Sequence, residues 1–141
     1  MANVIPYSFR GELFTGTHNF ASGGDAFKLA LYTANPYTTA STVYSATSEV
    51  SASGTAYTTT GNTLTGNAVA YGTAVATCDF ADTEWTSATF TAAFGAIYND
   101  DQSDKLCVVL DFGGNKTCTN GTFKITFPDP STPADAIISM S

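Results

Sequence analysis

Nucleophilic hydrolysis by Ser or Cys ordinarily needs an imidazole as general base, and this chain has a single histidine, His18. It lies far in sequence from Cys78, Cys107 and Cys118, so no histidine-based triad is expected. Paired carboxylates run glycoside chemistry when held about 5–9 Å apart. The acids here gather instead in turn-like runs, Asp79, Asp82 and Glu84 in one and Asp100, Asp101 and Asp104 in another. Turn acids are mostly solvated or cap their own backbone.

The run 99–104 has enough oxygens for calcium, but it lacks the central Gly and distant Glu of an EF-hand. A solubilising hairpin tip is the plainer reading. The cysteines are three, widely spaced, with no C-x-x-C pair. That argues against zinc and against a disulfide framework, and for free thiols made in a reducing compartment. Gly113-Gly114 is followed by no Gly-Lys-Ser/Thr run that would cradle phosphate. No catalytic, cofactor-binding or metal-ligating residue is assigned, and the chain reads as a binding protein, not an enzyme. Tyr37, Tyr44 and Tyr57 lie in a polar stretch and suit either a sugar-stacking platform or a protein interface.

The elements that carry these residues are strands. Thr is the commonest residue, and Tyr, Phe and Val add to a β-favouring slant. Asp25 to Thr33 alternates, with Phe27, Leu29 and Leu31 on one side and Lys28, Ala30 and Tyr32 on the other. Residues 37–61 form a long polar excursion holding one or two short strands. Short strands follow at 62–64 and 67–70, and longer ones at 73–80, 88–98, 105–112 and 122–127, with a closing strand at 136–140. In 88–98 one face takes Phe90, Ala92, Phe94, Ala96 and Tyr98. In 105–112 one face takes Leu106, Val108, Leu110 and Phe112. Turns are expected at 79–83, 99–104, 113–115 and Asn120-Gly121, the last of a kind favoured in hairpins. Trp85 is the expected large core anchor. A brief helical turn at 134–138 is the alternative to a strand there. About eight strands and no long helical pattern predict an all-β fold, a β-sandwich of jelly-roll type.

Residues 1–24 read as an extended N-terminal arm, ending in the hinge Ser22-Gly23-Gly24. Residues 25–141 make the sandwich domain. The arm is too apolar for a free tail, with Ile5, Tyr7, Phe9, Leu13, Phe14 and Phe20. It lies over its own domain or docks on a neighbouring chain.

The charge balance narrows the partners. Twelve acids against five bases give a formal charge of −7, and Arg10, Lys28, Lys105, Lys116 and Lys124 form no basic run. Nucleic acid and anionic membranes are poor partners for such a surface. The N-terminus lacks the pattern of a secretion signal, and no apolar run is long enough to span a bilayer. The glycosylation-like triplets at 115–117 and 120–122 therefore carry no weight.

Three phrases add a resemblance. Phe27 to Tyr32, the Tyr-Thr-Thr-Thr-Gly-Asn-Thr-Leu-Thr-Gly run at 57–66, and Ala96 to Asn99 followed by Val108 to Gly114 resemble the capsid cement (decoration) proteins of short-tailed bacteriophages. The resemblance covers roughly residues 25–140. It implies a jelly-roll protein, homodimeric, bound to the outside of an icosahedral head and tying together subunits of an HK97-like major capsid protein. The family has no functional motif to transfer residue by residue. A phage tail or fibre component and a carbohydrate-binding β-sandwich module are the alternatives.

Overall fold

The computed structural model describes residues 3–72, 74–129, 131–132 and 136–141. Among the described residues, one α-helix, α1 (Tyr7–Phe14), precedes seven strands: β1 (Phe27–Tyr32), β2 (Asn62–Thr63), β3 (Ala68–Tyr71), β4 (Ala76–Asp79), β5 (Thr83–Asn99), β6 (Lys105–Ile125) and β7 (Ile138–Met140). A 3-10 turn, Asp100–Gln102, joins β5 to β6. Four strands pair in the order β2-β1-β5-β6 and three in the order β3-β4-β7, antiparallel throughout. The two sheets make a mostly-β, sandwich-like arrangement.

β1 sits inside the larger sheet, and its alternation serves two cores. Phe27, Leu29 and Leu31 enter the core shared with the smaller sheet and α1, through Cys78, Phe80, Ile138 and Phe9. Ala30 and Tyr32 enter a second core with Tyr37, Ala96, Tyr98, Leu106 and Val109. A half-buried strand was expected; instead Lys28 is the sole residue of β1 that is not buried.

The extended arm is corrected. Residues 7–14 are helical, and the segment folds back on its own domain, with Val4 bridging Val109 through N–H···O bonds of 2.9 and 2.8 Å. Pro6, in extended geometry, enters the helix without needing its own N–H. Gly16 ends it at φ +68°, where Thr17 N–H donates to Glu12 O (3.0 Å) and Gly16 N–H to Leu13 O (3.3 Å), a Schellman closure. Phe9 and Leu13 are one helical turn apart and share the face turned to the core. Alternation from Ile5 to Phe9 imitated a strand, while the Gly16 stop was the helical signal.

Where about eight strands were expected, the described residues form seven. The expected turns at Gly113-Gly114 and Asn120-Gly121 are irregularities inside a single strand, β6, at register shifts against β5. Positive φ at Gly113 (+72°), Gly114 (+128°) and Asn120 (+46°) serves a bulge as well as a turn. The same shifts re-aim side chains. Phe90 and Ala92 join the inter-sheet core, but Phe94, Ala96 and Tyr98 join the second. The irregularity between Ile97 and Tyr98 leaves Cys107 unpaired in the ladder, so Leu106 and Val108 serve different cores. The expected single faces for 88–98 and 105–112 are thus each divided.

Residues 37–61, where one or two short strands were expected, contribute Glu49 and Val43 to isolated bridges with Tyr32 and Lys105. Trp85 is buried in the inter-sheet core as read from the sequence. The expected alternative of a helical turn at 134–138 lies partly outside the described residues, and 138–140 is strand.

Candidate functional site

The chemistry-bearing side chains converge where the N-terminal segment meets the larger sheet. α1 supplies Glu12, the loop after it supplies His18, and the approach to β1 supplies Asp25. β5 ends on Asn99, and β6 opens with Lys105 and Cys107. Glu12 Oε2 lies 2.8 Å from His18 Nε2, and Glu12 Oε1 accepts from Lys105 Nζ at 2.8 Å. Asn99 Nδ2 donates to His18 Nδ1 at 3.0 Å and to Asp25 Oδ2 at 2.8 Å. Asp25 Oδ2 also accepts from Asn19 N–H at 2.9 Å. Cys107 Sγ is 4.0 Å from His18 Nδ1.

The constellation has the members of a Cys-His-carboxylate triad, with His18 and Cys107 89 positions apart. Its nucleophile is disarmed. Cys107 is fully buried, and burial pushes its thiol well above the ordinary value, with Glu12 adding to the effect. Cys78, buried in the same core, is pushed up to about 12 for the same reason. A thiolate is the reactive form, and burial favours the neutral thiol at Cys107.

The carboxyls are tuned as structural anchors. Burial works against ionisation of Glu12, but bonds from Lys105 and His18 outweigh it and hold the carboxyl below its usual value. Burial likewise opposes ionisation of Asp25, and Asn99, Asn19 and Gln102 overcome it. A carboxyl depressed on folding contributes stability that is complete above the ordinary carboxylate range. It is lost as pH falls through the folded value.

A second polar network fixes the 34–61 excursion. Glu49 accepts from Tyr44 Oη (2.6 Å), Tyr57 Oη (2.7 Å) and Thr60 N–H (2.7 Å). Tyr57 Oη accepts from Leu31 N–H at 3.0 Å, Tyr32 and Tyr37 hydroxyls lie 2.6 Å apart, and Tyr98 Oη donates to Thr60 O at 2.6 Å. Burial raises the pKa of all five phenols, so they stay neutral donors. Tyr37 and Tyr57 are thereby core residues, not the exposed platform that sugar stacking requires.

The acid runs are also engaged. Asp82 pairs with Lys124 at 3.0 Å and accepts from Phe127 N–H, Asp100 pairs with Lys28 at 3.1 Å, and Asp101 accepts from Ala26 N–H at 2.7 Å. Among the described residues no group of three or more His, Cys, Asp or Glu could hold a metal ion. No described helix is long and apolar enough to cross a membrane.

Apolar surface is exposed at one end of the smaller sheet. Tyr71 pairs with Ala76, and Ala76 with Met140; Val69 pairs with Cys78, and Cys78 with Ile138. These two rows share a face. Tyr71 is 86% exposed, Met140 56% and Val69 48%, and Phe14 at the end of α1 is 94% exposed. Between sheet and helix runs a groove of about 100 Å³, walled by Phe9, Leu13, Phe20, Val69, Ile138 and Met140. β3 and β7 are both edges of their sheet.

Sequence reasoning missed Glu49, Asn99 and Lys105 as organising residues. Glu49 carried a signal, being the single charged residue between Lys28 and Asp79. Asn99 carried none, because its partners are brought by distant segments. No protein-family model, curated protein or solved structure matches this chain.

Proposed function

We propose that the chain is a capsid cement (decoration) protein. In this reading it is a jelly-roll homodimer that binds the outer surface of an icosahedral phage head and ties neighbouring subunits of an HK97-like major capsid protein together. The observation that carries the reading is the exposed apolar end formed by Phe14, Val69, Tyr71 and Met140 beside two sheet edges. Unpaired edges accept strands from other chains. Apolar area gains about 25 cal/mol per Å² on burial, before ordering costs are subtracted. Repetition over a shell turns many weak contacts into a strong one. The resemblance of 27–32, 57–66 and 96–99 with 108–114 to cement proteins supplies the partner, and the acidic surface suits the outside of a shell, away from packaged DNA. The buried thiols suit assembly in a bacterial host cytoplasm.

The test is co-sedimentation of the purified protein with undecorated heads, comparing wild type with the double variant Phe14→Ser, Tyr71→Ser. Saturable binding that weakens at least tenfold in the variant, with unchanged circular dichroism, supports the reading. Absence of wild-type binding to heads, or binding to tails alone, overturns it in favour of a tail component. Binding to a glycan array and not to heads favours the sugar-binding module.

A further inference from the structure

We infer that residues 4–25 are a latch on the body of the protein, closed by a neutral His18 and opened when that imidazole gains a second proton. The hydrogen-bond directions around the ring dictate this. Asn99 Nδ2 faces His18 Nδ1 at 3.0 Å, and an amide nitrogen only donates, so Nδ1 must be the lone-pair acceptor. The proton of the ring then sits on Nε2 and points to Glu12 Oε2 at 2.8 Å.

Asn99 cannot turn round to accommodate a proton on Nδ1. Its Nδ2 is also committed to Asp25 Oδ2 at 2.8 Å, and a flipped amide would aim its oxygen at that carboxylate. Among the described residues its Oδ1 is buried without a hydrogen-bond partner. The groups facing the ring from every side are therefore Glu12 and Phe9 of α1, with Lys105 behind Glu12; Phe20 and Asp25 of the same segment; Asn99 of β5; and Cys107 of β6. Glu12 and Asp25 attract a cationic ring, but neither accepts a hydrogen bond from Nδ1. An imidazolium there sets N–H against N–H in a site closed to water, since the His18 side chain has no exposed surface.

The latch lies directly over apolar floor. Phe20 stacks on Phe27 with centroids 4.3 Å apart and meets Phe80 at 6.2 Å. Gly23, at φ +76°, and Gly24, where a Cβ would fall 2.4 Å from Asn19 O, form the corner on which the segment turns. Opening uncovers Phe27, Phe80 and Cys78 and frees Phe9 and Leu13. This holds whatever partner the protein has, so its failure and that of the cement reading are separable.

The experiment is amide hydrogen exchange on the full chain between about pH 8 and about pH 5, read as protection factors, with the charge of the ring followed in the same samples. This range lies above the usual carboxylate values, so Glu12 and Asp25 keep their charge throughout. Protection over residues 7–20 is expected to fall at least tenfold towards pH 5 while β1 and β5 stay protected. The variant His18→Gln, which cannot gain the charge, is expected to show a flat profile. A flat wild-type profile overturns the proposal, as does an equal fall in His18→Gln. Ring ¹⁵N shifts of wild type give a readout that needs no variant: the proton is expected on Nε2 at neutral pH. A charged ring at about pH 5 with residues 7–20 still protected overturns the latch.

Discussion

The two faces of β1 solve the same packing problem with different physics. Towards the smaller sheet, Phe27, Leu29 and Leu31 meet Phe20, Phe80 and Ile138 and are held by apolar contact. Towards the 34–61 excursion, Tyr32 meets Tyr37, Tyr44 and Tyr98, and there hydroxyls reach the loop backbone and Glu49. The first face is specified by volume, the second by donor and acceptor count. The excursion has almost no ladder of its own, so the phenols substitute for strand pairing: Val50 N–H to Leu31 O and Thr33 N–H to Ser48 O are among its backbone ties to β1. A loop this long stays ordered because a polar core lies beneath it.

Breaking the apolar face should do the most damage. Phe27→Ala removes a ring with no exposed surface from the centre of an aromatic stack, and a loss of about 3–5 kcal/mol is expected in urea unfolding. Glu49→Ala attacks the other face. It leaves two phenols and the Thr60 N–H without their acceptor, and about 2–3 kcal/mol is expected. Proteolytic sensitivity should rise in residues 34–61, whereas Phe27→Ala should loosen the whole domain.

Tyr32→Phe sharpens the contrast because it keeps the ring and deletes only an oxygen. About 1 kcal/mol is expected from the lost bonds to Tyr37 and Ser45 O. A neutral result would mean that ring volume governs both faces alike. Lys124→Ala should leave the urea midpoint unchanged, since its ion pair with Asp82 is solvent-screened. In that variant the Asp82 carboxyl should titrate higher by NMR, because Lys124 is the first cause of its depression.

The sequence made the apolar face legible and the polar one opaque. Period-two spacing at 27–32 gave β1 directly, and Trp85 was readable as a core anchor from its size. Tyr37, Tyr44 and Tyr57 looked like surface residues because their neighbours are Ser and Thr. Nothing local shows that Glu49 will collect their hydroxyls. The helix at Tyr7–Phe14 was hidden by alternation at Ile5, Tyr7 and Phe9, although Gly16 marked its end. At Gly113-Gly114 and Asn120-Gly121 the residues were read for the right backbone conformation and the wrong consequence. Positive φ is a property of residues, but whether the chain reverses or bulges depends on the partner strand. The exposed apolar end and the His18 cluster both need β4, β5, β6 and α1 to be placed first, so neither exists at the level of spacing.

The wiring of β1 also sets a timetable for synthesis. β1 pairs with β5, which pairs with β6, and Val4 waits for Val109. At roughly 5–20 residues per second, Phe9, Phe20 and Phe27 leave the ribosome many seconds before the strands that cover them. The larger sheet cannot close on β1 until β5 and β6 have been synthesised.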